Sequence, residues 1–361
     1  LREVRRPLGA TLAMDYRQAG NDYGLPFPKW LLEEVRINDG VDGDGPRWRK
    51  TRMTYEQPNH ERHEREFLGF AKTTETQLDT ENGDVPYRSS VTEFANNNYY
   101  DRGLPLKEYT LDANGNRYRE TVYTYQLLNP STFTELPDIL LASDQGRAYP
   151  QLVERTMNYY EGAASPQLSR RTTFSYDTLG QVLTKIDFGN ESPEDELRTE
   201  FSYHEIPGRY QMDRIKSLEI YGGGELLRHT EMDIDGRGNV TQLRQYLDAT
   251  TFKQFDFTYD AWSNVLTATD PPNVNGERME LRYEIDSVIH HYTVRAEDSY
   301  GYHSTSSYDY RYGQLLMETD INGHQVSYQL DAHGRVIEIK LPKDSTWSFR
   351  YTYAPMANPS Y

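Results

Sequence analysis

An aspartate and a glycine return along this chain at a fixed interval. Asp298, Asp309, Asp320 and Asp331 lie 11 residues apart each time. The stretch at 308–339, YDYRYGQLLMETDINGHQVSYQLDAHGRVIEI, holds three of these acids. Each unit is an apolar or aromatic residue, Asp, two variable residues, Gly, and then usually Asn, Gln, Arg or His. A catalytic site needs its residues once, so a ruler of this kind points to construction.

The same unit occurs upstream. Leu111 leads Asp112 and Gly115, Tyr176 leads Asp177 and Gly180, and Ile234 leads Asp235 and Gly238. Tyr259 and Asp260 open a copy with Ser263 in place of glycine. Tyr308 and Asp309 open one with an extra residue before Gly313, and Asp320 with Gly323 and Asp331 with Gly334 close the set. Asp accepts hydrogen bonds from backbone N–H groups just ahead of it, and Gly supplies the positive φ that closes a short hairpin. Residues after each copy, such as RVIEIKL at 335–341, alternate as a strand does. A strand of about seven residues at roughly 3.4 Å each spans about 24 Å, and a turn of about four completes the unit. Two units return the chain to the same edge. The expected fold is all-β, an antiparallel meander of hairpins. Tyr176, Tyr259 and Tyr308 are expected to stack as a ladder across neighbouring strands.

The upstream intervals are irregular: 65 residues from Asp112 to Asp177, then 58 to Asp235. Residues 127–151 break the pattern and read as an insertion, with a short helix at 137–143. Loops are expected at 190–195, 221–225 and 270–277. Residues 1–80 read as strands and Gly-rich turns without copies of the motif, so the chain divides into an N-terminal β segment (1–80) and a repeat segment (81–361). It begins with Leu and breaks off without a terminal signal, which reads as a fragment of a longer chain.

Composition removes several classes. The 39 basic and 56 acidic residues give a net charge of −17, against a nucleic acid or anionic membrane surface as the main partner. The absence of cysteine removes disulfides, thiol nucleophiles and Cys-ligated zinc. No apolar stretch approaches the roughly 18–20 residues of a membrane helix. Thirty tyrosines, with low mean hydropathy, suit a thin sheet wetted on both faces.

The Tyr-Asp/Gly unit over about 108–341 resembles the YD repeat of the Rhs family, shared with the B and C components of bacterial Tc insecticidal toxins and with teneurins. The segment YGLPFPKWLLEEVRINDG, followed by YEQPNHERHEREFLGFAKTTETQ, resembles the lead-in to the repeats of Tc toxin B components and SpvB-like proteins. Arg65, Glu66, Phe67, Leu68, Gly69 and Phe70 are its most distinctive run. The resemblance implies a spiralling, hollow β shell in a secreted bacterial toxin complex. That shell encloses a toxic effector polypeptide from the C-terminal end of the same or a partner chain. The implied partners are the remaining shell, that effector and a pore-forming or secretion component. Some relatives end the shell with a self-cleaving aspartyl protease motif, which Asp270-Pro271 in TATDPPNVNG does not match. A teneurin-like adhesin or carbohydrate-binding protein is the alternative.

Other chemistry is weakly signalled. His60 and His63 have the wrong spacing for a zinc protease and, in a strand, point to opposite faces, as do His290 and His291. Counting EF-hand positions from Asp112 puts Arg117 and Tyr123 where Gly and Glu belong. From Asp233, Arg237 and Arg244 occupy ligand positions. Asp39, Asp42 and Asp44 are the best residual candidates for weak surface calcium. The acids offer many pairs for glycoside hydrolysis, but their repeat-bound positions favour structural duty. No nucleophile elbow, P-loop or dinucleotide fingerprint occurs. The expected protein is not an enzyme and needs no cofactor.

Overall fold

The computed structural model of the protein describes residues 1–6, 9–40, 47–63, 65–136, 148–189, 195–205 and 213–353. These form 24 strands and, among the described residues, no helix. The described residues divide into two compact units, one within 1–198 with the short turn 222–224, the other within 199–221 and 225–353.

The first unit contains β1 (Glu3–Arg5), β2 (Thr11–Ala19), β3 (Lys29–Asn38), β4 (Arg49–Glu61), β5 (Glu66–Asp79), β6 (Val85–Phe94), β7 (Pro105–Asp112), β8 (Arg117–Leu128), β9 (Tyr149–Tyr159), β10 (Leu168–Tyr176) and β11 (Val182–Asp187). Each strand pairs antiparallel with the next in sequence, from β1 to β11. After β12 (Leu197–Tyr203) come β13 (Ile215–Gly222), β14 (Glu225–Ile234), β15 (Val240–Tyr246), β16 (Phe252–Tyr259), β17 (Val265–Thr269), β18 (Glu280–Ile285), β19 (Thr293–Glu297), β20 (His303–Asp309), β21 (Gln314–Thr319), β22 (Gln325–Leu330), β23 (Val336–Lys340) and β24 (Phe349–Arg350). From β14 to β24 the second unit is likewise an unbroken antiparallel meander. The all-β fold expected from the ruler is the fold found.

Little of this sheet is buried. Among the described residues the buried apolar side chains are Leu25, Leu31, Leu68, Leu78, Val91, Ala95 and Leu128, all in the first unit. The second unit has none, and its strands expose both faces in part. Threonine, tyrosine and paired charges stand where a sandwich would have Leu and Val. Stability therefore rests on backbone ladders and cross-strand polar pairs, such as Thr258 with Thr267 (2.7 Å) and Tyr328 with Glu318 (3.0 Å). In the first unit Glu120 is only 5% exposed. It is held by Arg117, by Asn158 Nδ2 (3.1 Å) and by the Tyr160 hydroxyl (3.2 Å).

One irregularity recurs in the second unit. The ladders β14–β15, β16–β17, β18–β19, β20–β21 and β22–β23 each slip by one residue just before the corner aspartate. The ladders on the opposite edge, β15–β16, β17–β18, β19–β20 and β21–β22, do not slip. Every second corner thus carries a β-bulge, with the extra residue at the start of the outgoing strand, as at Leu266 and Leu316.

The expected helix at 137–143 lies outside the described residues. The turn at 221–225 is a tight Gly223-Gly224 reversal with both φ values positive, as a two-residue hairpin requires. Two histidine placements differ from expectation. His60 is on β4, but His63 lies in the turn before β5. His290 and His291 lie in the corner between β18 and β19, not on a strand. The corner wins there because Asp286 organises seven residues around itself.

Candidate functional site

The repeated feature of this protein is its corner, and in each copy of the motif one carboxylate builds it. Oδ1 of Asp112 accepts the N–H groups of Asn114 and Asn116, both at 2.8 Å. Asp177 does the same with Leu179 and Gln181 (2.8 and 2.9 Å), and Asp260 with Trp262 and Asn264 (2.8 and 2.9 Å). Asp235, Asp298, Asp320 and Asp331 repeat the pattern with residues two and four ahead. The residue four after the aspartate, when Asn, also donates its side chain to Oδ2, as Asn239 and Asn264 do at 2.9 Å. In the corner of Asp309, one residue longer, Oδ1 accepts the Arg311 N–H (2.9 Å), and the Arg311 guanidinium folds back onto the same carboxylate, Nη2 on Oδ2 at 2.7 Å. Gly313 N–H closes the corner onto the Asp309 carbonyl at 2.8 Å.

These bonds favour the charged carboxylate. Asp331 is held down to about 2, led by the N–H of Arg335. Asp248 is also held at about 2, chiefly by the N–H groups of Thr250 and Thr251. The Asn116 side chain leads the lowering at Asp112. At Asp260 partial burial pushes upward, and the bonds from Asn264 and Trp262 outweigh it.

The last turn position has φ near +80°, at 81° in Gly180 and 78° in Gly334. Ser263 adopts the same region at 71° in the copy that lacks glycine. At Gly334 a second constraint applies, since a Cβ there would run into the ring of Tyr312. That ring reaches across from the preceding corner on the same edge, and its hydroxyl meets the Ala332 carbonyl at 2.5 Å. Arg237 reaches the Asp260 carbonyl (2.7 Å), Asn264 reaches that of His290 (2.8 Å), and Trp262 stacks flat on His290 at 3.5 Å. Corners along this edge are therefore tied to one another.

The repeat tyrosine has a different role from the expected ladder. Among the described residues, Tyr176 and Tyr259 show no ring stacking on a tyrosine of a neighbouring copy. Tyr176 has only a tilted contact with Phe174 on its own strand, at 6.4 Å. Their hydroxyls donate to backbone carbonyls of the preceding strand: Tyr176 to Leu152 (2.5 Å) and Tyr259 to Val240 (2.7 Å). Both carbonyls belong to the residue just before a bulge, beyond the last ladder pair with the tyrosine's own strand. Tyr353 closes Val336 in the same way (2.9 Å), and Tyr55 closes Leu32 (3.0 Å). The tyrosine latches a carbonyl beside a bulge, past the end of the ladder with its own strand. Tyr308 alone follows the stacking expectation, on Tyr292 at 4.4 Å.

Sequence reasoning missed three corners. Asn273 accepts Asn275 and Glu277 N–H (2.9 and 3.0 Å), and Asp248 accepts Thr250 and Thr251 (2.8 and 2.7 Å). Asp286, 2% exposed, accepts five N–H groups between Val288 and Tyr292. Burial pushes the Asp286 carboxyl upward, and those bonds outweigh it and leave it below the ordinary range. With them, nine successive corners of the second unit open on Asp or Asn: 235, 248, 260, 273, 286, 298, 309, 320 and 331.

The N-terminal stretches converge on another corner. Phe27 meets His60 at 5.8 Å and Phe67 at 6.1 Å, Phe67 meets Phe70 at 5.3 Å, and Leu25 and Leu68 are buried beside them in sequence. Arg65, at φ 55°, turns the chain into Glu66, and Glu66 pairs with Arg102 at 2.5 Å. Gly69 has φ 103°, which suits the bulge beside Asn59. Asp42 and Asp44 of the calcium candidate lie outside the described residues, and Asp39 lies just past the end of β3. Among the described residues no three His, Asp or Glu side chains have the arrangement to hold a metal ion.

Comparison with known proteins fits this architecture. Residues 1–101 match the family described as the insecticide toxin TcdB middle/N-terminal region. The crystal structure of TcdB2-TccC3 superposes with a TM-score of 0.70 at 14% identity, covering 94% of this chain and 24% of that one. A TcdB2-TccC3 structure without the hypervariable C-terminal region gives the same values. The Photorhabdus luminescens Tc holotoxin pore gives 0.69 at 14%, with the same coverage. The chain thus spans about a quarter of the length of the structures it matches. No curated protein matches it in sequence. The resemblance to Tc toxin B components holds by family match over the first hundred residues and by fold over nearly the whole chain.

Proposed function

We propose that this protein is a wall segment of a secreted bacterial Tc/Rhs-type toxin, and that it helps to enclose and deliver an effector polypeptide rather than to catalyse a reaction. The observation that carries this reading is the second unit. It is a meander with nine self-tied corners and no buried apolar side chain among its described residues. Such a strip has area without an interior, which suits a partition better than an active site. The proposed partners are the rest of the shell, a C-terminal effector and a pore-forming component. TcdB2-TccC3 and the holotoxin pore support that assignment as fold relatives.

The test is protease protection. The complete gene product, co-expressed with its downstream effector, is treated with protease before and after mild urea. Effector peptides that resist digestion until the sheet unfolds support the reading. Digestion at the rate of free effector overturns it. The open rings of Trp262 and Tyr300, 59% and 80% exposed, favour a second reading as a glycan-binding surface. Specific signals on a glycan array, lost in Trp262→Ala, would put that reading first.

A further inference from the structure

Four Asn-Gly pairs lie in turns of this chain: Asn82-Gly83, Asn114-Gly115, Asn275-Gly276 and Asn322-Gly323. Asn-Gly is the pair most open to self-modification. The glycine backbone nitrogen loses its proton to solvent base and attacks the Asn side-chain carbonyl carbon. A C–N bond forms, and the amide nitrogen leaves as ammonia. Water then opens the resulting succinimide at either carbonyl, giving aspartate or isoaspartate. The net change is amide plus water to acid plus ammonia, with nothing oxidised or reduced.

Three of the four pairs sit in the repeat corner, which occupies the attacking nitrogen. Gly115 donates its N–H to the Asp112 carbonyl (3.1 Å), Gly276 to that of Asn273 (3.0 Å) and Gly323 to that of Asp320 (3.0 Å). The preceding Asn is held as well, by its own N–H on the corner side chain at 2.8 to 2.9 Å. The β5–β6 turn is different. It closes through Asp84 N–H on the Asp79 carbonyl (2.8 Å), and no hydrogen bond holds Gly83 N–H among the described residues. Asn82 and Gly83 are both exposed. Asn82 is held on Asp79 as well, by its N–H on Oδ1 at 3.2 Å and by Nδ2 on Oδ2 at 2.6 Å, but neither contact engages the attacking nitrogen of Gly83.

We propose that Asn82-Gly83 is the deamidation site of this protein, and that the repeat corner shields the other three pairs. The product places a carboxylate where an amide donor met Asp79. It stands two residues from Asp84, which pairs with Lys50 at 2.5 Å. Isoaspartate also adds a backbone methylene within the five residues that join Asp79 to Val85. Ageing is thereby confined to one corner of the first unit.

The full-length protein, held at mildly alkaline pH, is sampled over days and mapped by peptide mass spectrometry. Isoaspartate is scored with an isoaspartyl methyltransferase and labelled S-adenosylmethionine. Conversion at Asn82 is expected about fivefold faster than at each other pair, as one net hydrogen bond would dictate, with similar rates at all four in urea. Equal rates in the folded protein, or a repeat pair in the lead, overturn the proposal. Asp320→Ala, which loosens one corner, is expected to raise conversion at Asn322. An unchanged rate there overturns the shielding.

Discussion

Replacing Tyr259 with phenylalanine removes one oxygen and leaves the ring. That oxygen donates to the Val240 carbonyl at 2.7 Å, two residues past the last ladder pair between β15 and β16, Gln242 with Asp256. A hydrogen bond of this kind contributes a net of about 0.5–1.5 kcal/mol, and a carbonyl left without a partner costs more where water is excluded. Tyr259 and Val240 are both half-buried, so water partly replaces the hydroxyl, and about 1 kcal/mol is the expected loss. The two-unit chain is a poor subject for a single unfolding transition. Hydrogen exchange of peptides spanning 240–259 reads the effect where it acts, and about 1 kcal/mol is about fivefold faster exchange. Tyr300→Phe, at an 80% exposed corner tyrosine, is the control, with no change expected. Tyr308→Phe is also expected to be nearly silent, since its ring stacks on Tyr292, whereas Tyr308→Ala is not. If Tyr259→Phe exchanges no faster than Tyr300→Phe, the latch is a coincidence of geometry. If Tyr308→Phe matches it, stacking and latching have been wrongly separated.

Asp286→Ala removes the acceptor of five N–H groups, so amides at 288–292 are expected to exchange at rates typical of an open loop. Asp286→Asn, which keeps one oxygen, should protect only part of them. The low carboxyl pKa values give a pH dependence with a definite sign. Asp248 and Asp331 sit at about 2 when folded, below the unfolded 3.8, so their stabilisation is complete above about pH 4 and is lost as pH falls toward 2. Urea midpoints measured from pH 5 to pH 2 should fall through that window, and Asp248→Asn with Asp331→Asn should flatten the fall. Gly334→Ala carries both a positive φ and a clash with Tyr312, whereas Gly323→Ala carries only the φ. A loss of about 1 kcal/mol is expected at Gly323 and at least about 2 at Gly334, read by local exchange.

The corners were legible because turn chemistry is local. An aspartate and a glycine three residues on define a hydrogen-bonding unit that needs no distant partner, and it is visible at Asp320 or Asp331 in a few letters. Asn273 escaped because a search for Asp excludes the amide that does the same work. Asp286 escaped because its corner has seven residues and no glycine, so only Ile285 before it matched the pattern. The tyrosine latch was not legible. It joins Tyr259 to Val240 across 19 positions and depends on a bulge, which pairing creates and composition does not reveal. Tyr55 and Tyr353 use the same latch in segments without an aspartate after the tyrosine. In the N-terminal segment the distinctive letters Phe67 and Phe70 were read as a signature, and the contacts with Phe27 and His60 give it a physical basis.

The bulges placed at every second corner bear on how such a chain changes length over time. In an ordinary strand, one inserted residue turns every later side chain to the wrong face. Here the residue that would do this is already present beside the corner, set aside at positions such as Leu266 and Leu316, and pairing resumes beyond it. Intervals between successive corners run from 13 residues near Asp235 to 11 near Asp331 without a break in the ladder. Length variation is therefore filtered to the corners, where it is cheap. Insertion of a short tag should follow the same rule, accepted between Asp309 and Gly313 and rejected in the middle of β16.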